Sequence, residues 1–161
     1  MFYPPFWILL VIVVVITVLT LYLRKPGWVD MQAYIMIITL TMSSDMLFCK
    51  QFSLYHYVSI EFRGWYSFWA NLIIVPSLGL IFIKFLPLRK KFIYAYIALW
   101  TIGGTLFELF ITEPFGIVQY TKWHILPNSI IGSAICFSLV YFYHCFLKRL
   151  LKPENRERLN S

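Results

Sequence analysis

The sequence predicts an all-α fold: an integral membrane bundle of five transmembrane helices, N-out and C-in, with an extended outer loop. Three observations predict it. First, 60% of the 161 residues are hydrophobic and 13% are charged, with a mean hydropathy of +0.73. A soluble domain carries about 25% charged residues, and a disordered chain needs still fewer apolar ones. Second, five stretches reach the ~20 mostly apolar residues that a hydrocarbon core about 30 Å thick requires. Third, the Lys and Arg residues fall in short clusters that alternate between the two ends of those stretches.

The first stretch, about 6–23, is uncharged and dense in Val, Ile and Leu. It has no basic residues before it and no small-x-small cleavage pattern after it, so it reads as a retained anchor rather than a signal peptide. Arg24 and Lys25 follow it and hold that end in the cytoplasm, which sends the N-terminus out. The second stretch, about 31–49, is the most polar, with Thr39, Thr41, Ser43, Ser44 and Asp45. The third, about 65–87, contains Pro76, which is tolerated where neighbouring helices resatisfy the freed carbonyl. Lys84 near its inner end is read as snorkelling to the interface on its long stem. The fourth, about 92–112, carries Gly103 and Gly104, and the fifth, about 128–147, carries Ser129 and Ser133; both small-residue pairs are expected to allow close helix approach.

Residues 1–147 thus form one five-span transmembrane domain. Residues 148–161 form a short polar cytoplasmic tail, interrupted by Pro153.

The charges test this orientation. Ten basic residues fall on the inner side (Arg24, Lys25, Arg89, Lys90, Lys91, Lys148, Arg149, Lys152, Arg156, Arg158) and three on the outer (Lys50, Arg63, Lys122). That asymmetry is the positive-inside pattern. Trp7, Trp65, Trp69 and Trp123 lie near outer ends, and Trp28 and Tyr94 near inner ones, as interfacial aromatic belts require. The same clustering sets nucleic acid aside as a partner of the +7 chain. The expected partners are the lipid bilayer, other membrane proteins or a second copy of the chain. Cys49, Cys136 and Cys145 form no CxxC pair and read as buried free thiols.

Two outer loops matter for function. In residues 51–63 the even positions Phe52, Leu54, Val58, Ile60 and Phe62 are apolar, with His56 the exception. That period of two favours an extended segment at the outer interface or against the bundle. The other loop, 113–127, carries Tyr120, Lys122, Trp123 and His124.

Asp45 and Glu108 are ionisable residues inside spans, where charge is costly and often functional. Both spans run outward. Asp45 stands four residues before Cys49 and Glu108 four before Thr112, so each lies ~6 Å inside the outer boundary at 1.5 Å per residue. Thr101, Thr105, Glu108 and Thr112 share one helix face, as do Tyr34, Ile38, Thr41 and Asp45. Asn71 falls about 9 Å deep on the third span.

These positions define an outer polar pocket whose candidate binding residues are Asp45, Asn71, Glu108, His56, Arg63, Tyr120, Trp123 and His124. The competing reading of the hydroxyl and amide side chains is interhelical hydrogen bonding. Arg63 or Lys122 is available to neutralise the acids. No HExxH-like spacing joins the histidines to them, so no metal and no cofactor is assigned.

There is also no P-loop and no GxSxG elbow, and five spans are too few for inverted-repeat transporters. The expected activity is therefore non-enzymatic: assembly with other membrane proteins, or recognition of a small ligand from the outer side. A small oligomeric carrier or channel for a cation or proton, using Asp45 and Glu108, is the second expectation. An intramembrane enzyme acting on lipid, with His56 or His124 assisting the acids, is the third.

The length, the five-span plan, Pro76, Glu108 and the Tyr120-x-x-Trp123 pair resemble a family of small uncharacterised polytopic membrane proteins from spore-forming Gram-positive bacteria. That resemblance implies a multi-pass protein of the bacterial cytoplasmic membrane and no particular mechanism.

Overall fold

The computed structural model describes residues 3–58 and 63–151. Five of its helices are long and apolar enough to cross a membrane: α1 (Pro4–Leu23), α2 (Trp28–Gln51), α3 (Gly64–Lys84), α4 (Lys90–Thr112) and α5 (Ile125–Leu150). Each overlaps one expected stretch, and the boundaries differ by up to three residues. Two of the helix starts have local features. Pro4 and Pro5 preset the first turn of α1. α2 starts after Gly27, whose N–H donates to Asp30 Oδ2 at 2.7 Å. The tail beyond Leu151 lies outside the described residues.

The third helix is the axis of the bundle. Of its most apolar window 61% is buried, against 11–22% for the other four, so it is the one helix enclosed by the rest. On one side Tyr66, Ala70 and Ile74 receive Phe6, Leu9 and Val13 of α1. On the other, Phe82 and Ile83 pack with Ala33 and Ile37 of α2 and Val140 of α5. α2 and α3 come close at Gly79, where a Cβ would stand 2.5 Å from Ile37 Cδ1. This corrects the expectation for Gly103 and Gly104: a Cβ at either meets nothing within 4 Å. The thiols are corrected too, since Cys49 is buried but Cys145 is half-buried and Cys136 exposed.

Three of the described helices contain π-helical turns, all toward the same end of the bundle: Met46–Gln51, Ala70–Ile74 and Glu108–Thr112; at that end α5 opens through a kink at Leu126 (φ −101°, ψ 119°). The turn in α3 has a visible reason. Pro76 has no N–H to offer the carbonyl of Leu72, four residues before it. Tyr34 donates its hydroxyl to that carbonyl at 3.2 Å; the Thr41 hydroxyl, 2.9 Å from the Ile37 carbonyl of its own helix, lies 3.3 Å from the carbonyl of Asn71. Tyr34 of α2 therefore supplies the donor that Pro76 cannot offer within α3.

At this end the two loops pair. Strand β1 (Tyr55–Tyr57) runs antiparallel to β2 (Val118–Tyr120), with Tyr55 opposite Tyr120, His56 opposite Gln119 and Tyr57 opposite Val118. Of the expected extended segment, residues 55–57 form the strand, and residues 59–62 lie outside the described residues. Ser53 and Val58 take positive φ values of 50° and 56° and turn the chain on either side of β1. The opposite end collects Arg24, Lys25, Lys84 and Arg89–Lys91. Lys84 does more there than snorkel: its Nζ lies 2.5 Å from Asp30 Oδ2 and donates to the Lys25 carbonyl at 2.9 Å. Arg24 donates to the Lys84 carbonyl and stacks over Phe85, 4.6 Å from the ring centre.

Candidate functional site

Strand alternation decides which loop side chains meet the helices. Tyr55, Tyr57, Val118 and Tyr120 line a cavity of about 360 Å³ between the paired strands and the helices. His56 and Gln119 take the opposite face, where a His56 ring nitrogen and Gln119 Oε1 are 3.1 Å apart. The tyrosines at odd positions, not the apolar residues at even ones, are thus the inward set. Leu54 fixes the next turn: its carbonyl accepts the amides of Thr121, Lys122 and Trp123 at 2.9, 3.0 and 3.1 Å. That holds Trp123 against the cavity, where its Nε1 donates to Ser129 Oγ at 2.9 Å.

One cross-strand pair holds both acids. Tyr55 donates to Asp45 Oδ1 at 3.4 Å, and its strand partner Tyr120 donates to Glu108 Oε2 at 3.1 Å. Asp45 is 4% exposed, ends the regular part of α2, and also accepts from Ser67 Oγ. Ser67 in turn accepts from Asn71 Nδ2 at 3.4 Å, which closes a buried Asp45–Ser67–Asn71 chain between α2 and α3. Glu108 opens the π turn of α4, is half-buried and lines the cavity; Ser129 is within hydrogen-bonding reach of it. Burial pushes the phenols of Tyr55, Tyr57 and Tyr120 well above their ordinary value. The charge of Asp45 adds at Tyr55, those of Asp45 and Glu108 at Tyr57, and that of Glu108 at Tyr120. All three hydroxyls therefore stay protonated as donors.

The structure brings together five of the eight residues expected from sequence. Asn71, Glu108, Tyr120 and Trp123 line the cavity, and Asp45 sits behind Tyr55. His56 faces away, and His124 is exposed just before α5. The side chain of Arg63 lies outside the described residues. Lys122 is exposed and borders a second cavity of about 330 Å³ that shares Phe48, Trp123 and Gly132 with the first. Among the described residues, no three His, Cys, Asp or Glu side chains converge as a metal set would.

Sequence reasoning missed Tyr55, Tyr57 and Ser67. The tyrosines had a signal, since they are the amphipathic members of the odd-numbered face of a period-two segment. Ser67 had none, because its partner is twenty-two residues away on another helix.

The remainder of the wall is apolar: Leu9, Ile37, Ile74, Leu78, Phe107 and Phe137 come from five helices. The site is an apolar chamber with one polar end, roofed by aromatic rings. Comparison with protein-family models, curated proteins and solved structures finds no match to this chain.

Proposed function

We propose that this chain is a five-span protein of the bacterial cytoplasmic membrane, N-out and C-in, and that it recognises a small ligand without transforming it. The ligand occupies the cavity under the paired loops, at the outer face. Membrane insertion is supported by the flanks: on α1 alone Ile8, Val11, Ile12, Val15, Ile16, Val18 and Leu19 are exposed. Contiguous apolar surface of that extent marks a lipid or protein contact. Orientation is supported by the clustering of Arg24, Lys25 and Arg89–Lys91 at the end away from the strands.

The observation that carries recognition is the cavity. Its volume of about 360 Å³ lies within the roughly 300–1,000 Å³ of small-molecule sites, and it has the usual composition of apolar walls with a few convergent polar groups. The acids support binding better than catalysis, since each is already hydrogen-bonded by tyrosine and serine hydroxyls and no histidine joins them.

Glycines provide the test. Gly104 and Gly132 line the cavity, and a Cβ at either meets nothing within 4 Å. Gly104→Leu and Gly132→Leu should fill the chamber without disturbing the fold. Native mass spectrometry of the protein in mild detergent should show a bound adduct that both variants lose. Equal adduct occupancy in wild type and filled variants would overturn the reading. For orientation, a C-terminal reporter active only outside the cytoplasm would contradict C-in.

A further inference from the structure

We infer that the ligand is a cationic amphiphile, with an amine or quaternary ammonium head under the tyrosine roof and an apolar chain between the helices. This rests on the cavity being a ligand site, as proposed above.

The charge inventory comes first. Among the described residues lining the cavity, Glu108 is the single ionic side chain, and no Lys, Arg or His lines it. A second carboxylate, Asp45, lies directly behind Tyr55. A carboxylate removed from water without a counter-charge is costly, and hydroxyl donors offset only part of that cost. The chain's own Lys84 answers the same problem at the other end, where Asp30 is paired at 2.5 Å. Among the described residues no side chain brings a positive charge to either acid at the strand end, and the inferred ligand supplies it. An anionic head would find the opposite: two acids, and hydroxyls of Tyr55 and Tyr120 already donated to them.

The rings give the second argument. Tyr55 stands at the centre of three aromatic contacts, with Tyr57 at 6.0 Å and 78°, Tyr120 at 6.4 Å and 54°, and Trp123 at 6.2 Å and 75°. All four rings line the cavity beside Glu108. The three rings pack against Tyr55 and form with it one aromatic wall of the cavity, and aromatic rings attract alkylated ammonium groups. A carboxylate beside that wall adds charge to the attraction. The apolar walls from Phe107 to Phe137 then suit a hydrocarbon chain better than a polar body.

The test uses water-soluble probes of one chain length: n-hexyltrimethylammonium, n-hexanol and n-hexyl sulfate. Binding to the full chain in nonionic detergent is read by quenching of tryptophan fluorescence and by native mass spectrometry. The ammonium should bind at least about tenfold more tightly than the alcohol, and the sulfate more weakly than either. Glu108→Gln should bring the ammonium down to the alcohol. Tyr57→Phe should leave binding unchanged because the ring remains, whereas Tyr57→Leu should weaken the ammonium alone.

Hexylphosphocholine separates the two sources of such a head. Binding equal to the bare ammonium and reduced by Lys122→Ala identifies a choline lipid, with its phosphate toward the second cavity. Weaker phosphocholine binding identifies a free amine. Alcohol and ammonium binding alike in wild type would overturn the inference and leave the cavity reading standing. That comparison needs no variant to fold. If no probe binds, the cavity reading falls with it.

Discussion

The two ends of the bundle treat a carboxylate in opposite ways. At the basic end Asp30 is neutralised within the chain: Lys84 reaches it at 2.5 Å, and Lys84 is itself held by the Lys25 carbonyl. At the strand end, among the described residues, Asp45 and Glu108 receive hydroxyl donors, from Tyr55, Ser67 and Tyr120. A completed ion pair closes a helix junction. A carboxylate given donors but no cation keeps its capacity to attract one, and here it does so beside an open volume. The difference teaches where structure ends and recognition begins in this molecule. A carboxylate serves the fold at one end and lines the chamber at the other.

Breaking the basic end should have the largest effect on stability. Removing one partner of a desolvated pair strands the other charge, at about 3 kcal/mol here, the low end of the range for buried pairs. Lys84→Met should therefore lower thermal stability in detergent strongly, and Lys84→Met with Asp30→Leu should recover most of the loss. A single variant as stable as wild type would show that the pair contributes nothing.

The strand end should divide its two acids. Asp45→Asn weakens charge-assisted hydrogen bonds in a site 4% exposed and should cost about 1–2 kcal/mol. Glu108→Gln leaves an acceptor for Tyr120 on the open wall of the cavity and should change stability by less than about 0.5 kcal/mol while altering ligand binding. Thermal melts of the two variants side by side measure the contrast. Equal losses would assign both acids to the fold.

The smallest effect tests the repair of α3. Tyr34→Phe removes the hydroxyl that serves the Leu72 carbonyl and should cost about 0.6 kcal/mol, the average for a hydrogen bond between membrane helices. In a Pro76→Ala background the restored N–H serves that carbonyl, and the same Tyr34→Phe change should then cost nothing. A double-mutant cycle with no coupling would refute the repair.

Particular residues show how much was legible. The five helices follow from runs of apolar residues long enough to be read one residue at a time, and Asp45, Asn71 and Glu108 could be placed near one level from helical rise alone. Pairing was not legible. Nothing in residues 51–63 says that Tyr55 will face Tyr120, because the register is set by two turns at Ser53 and Val58 and by three amides converging on the Leu54 carbonyl. Gly103 and Gly104 misled because a small residue permits close approach without requiring it. The helix that does come close meets Gly79 instead.

By itself, then, the sequence determined the helical class, the number of long apolar helices, the segregation of basic residues and the presence of acids within apolar runs. These are one-dimensional properties, set by length, composition and the rise of a helix. Only the tertiary structure decided that α3 is the enclosed helix, that α2 repairs the gap left by Pro76, that Lys84 belongs to Asp30, and that one tyrosine pair roofs a chamber over both acids. Each of those outcomes depends on which surfaces meet across tens of residues, and packing and hydrogen-bond geometry choose among pairings that composition leaves equally open.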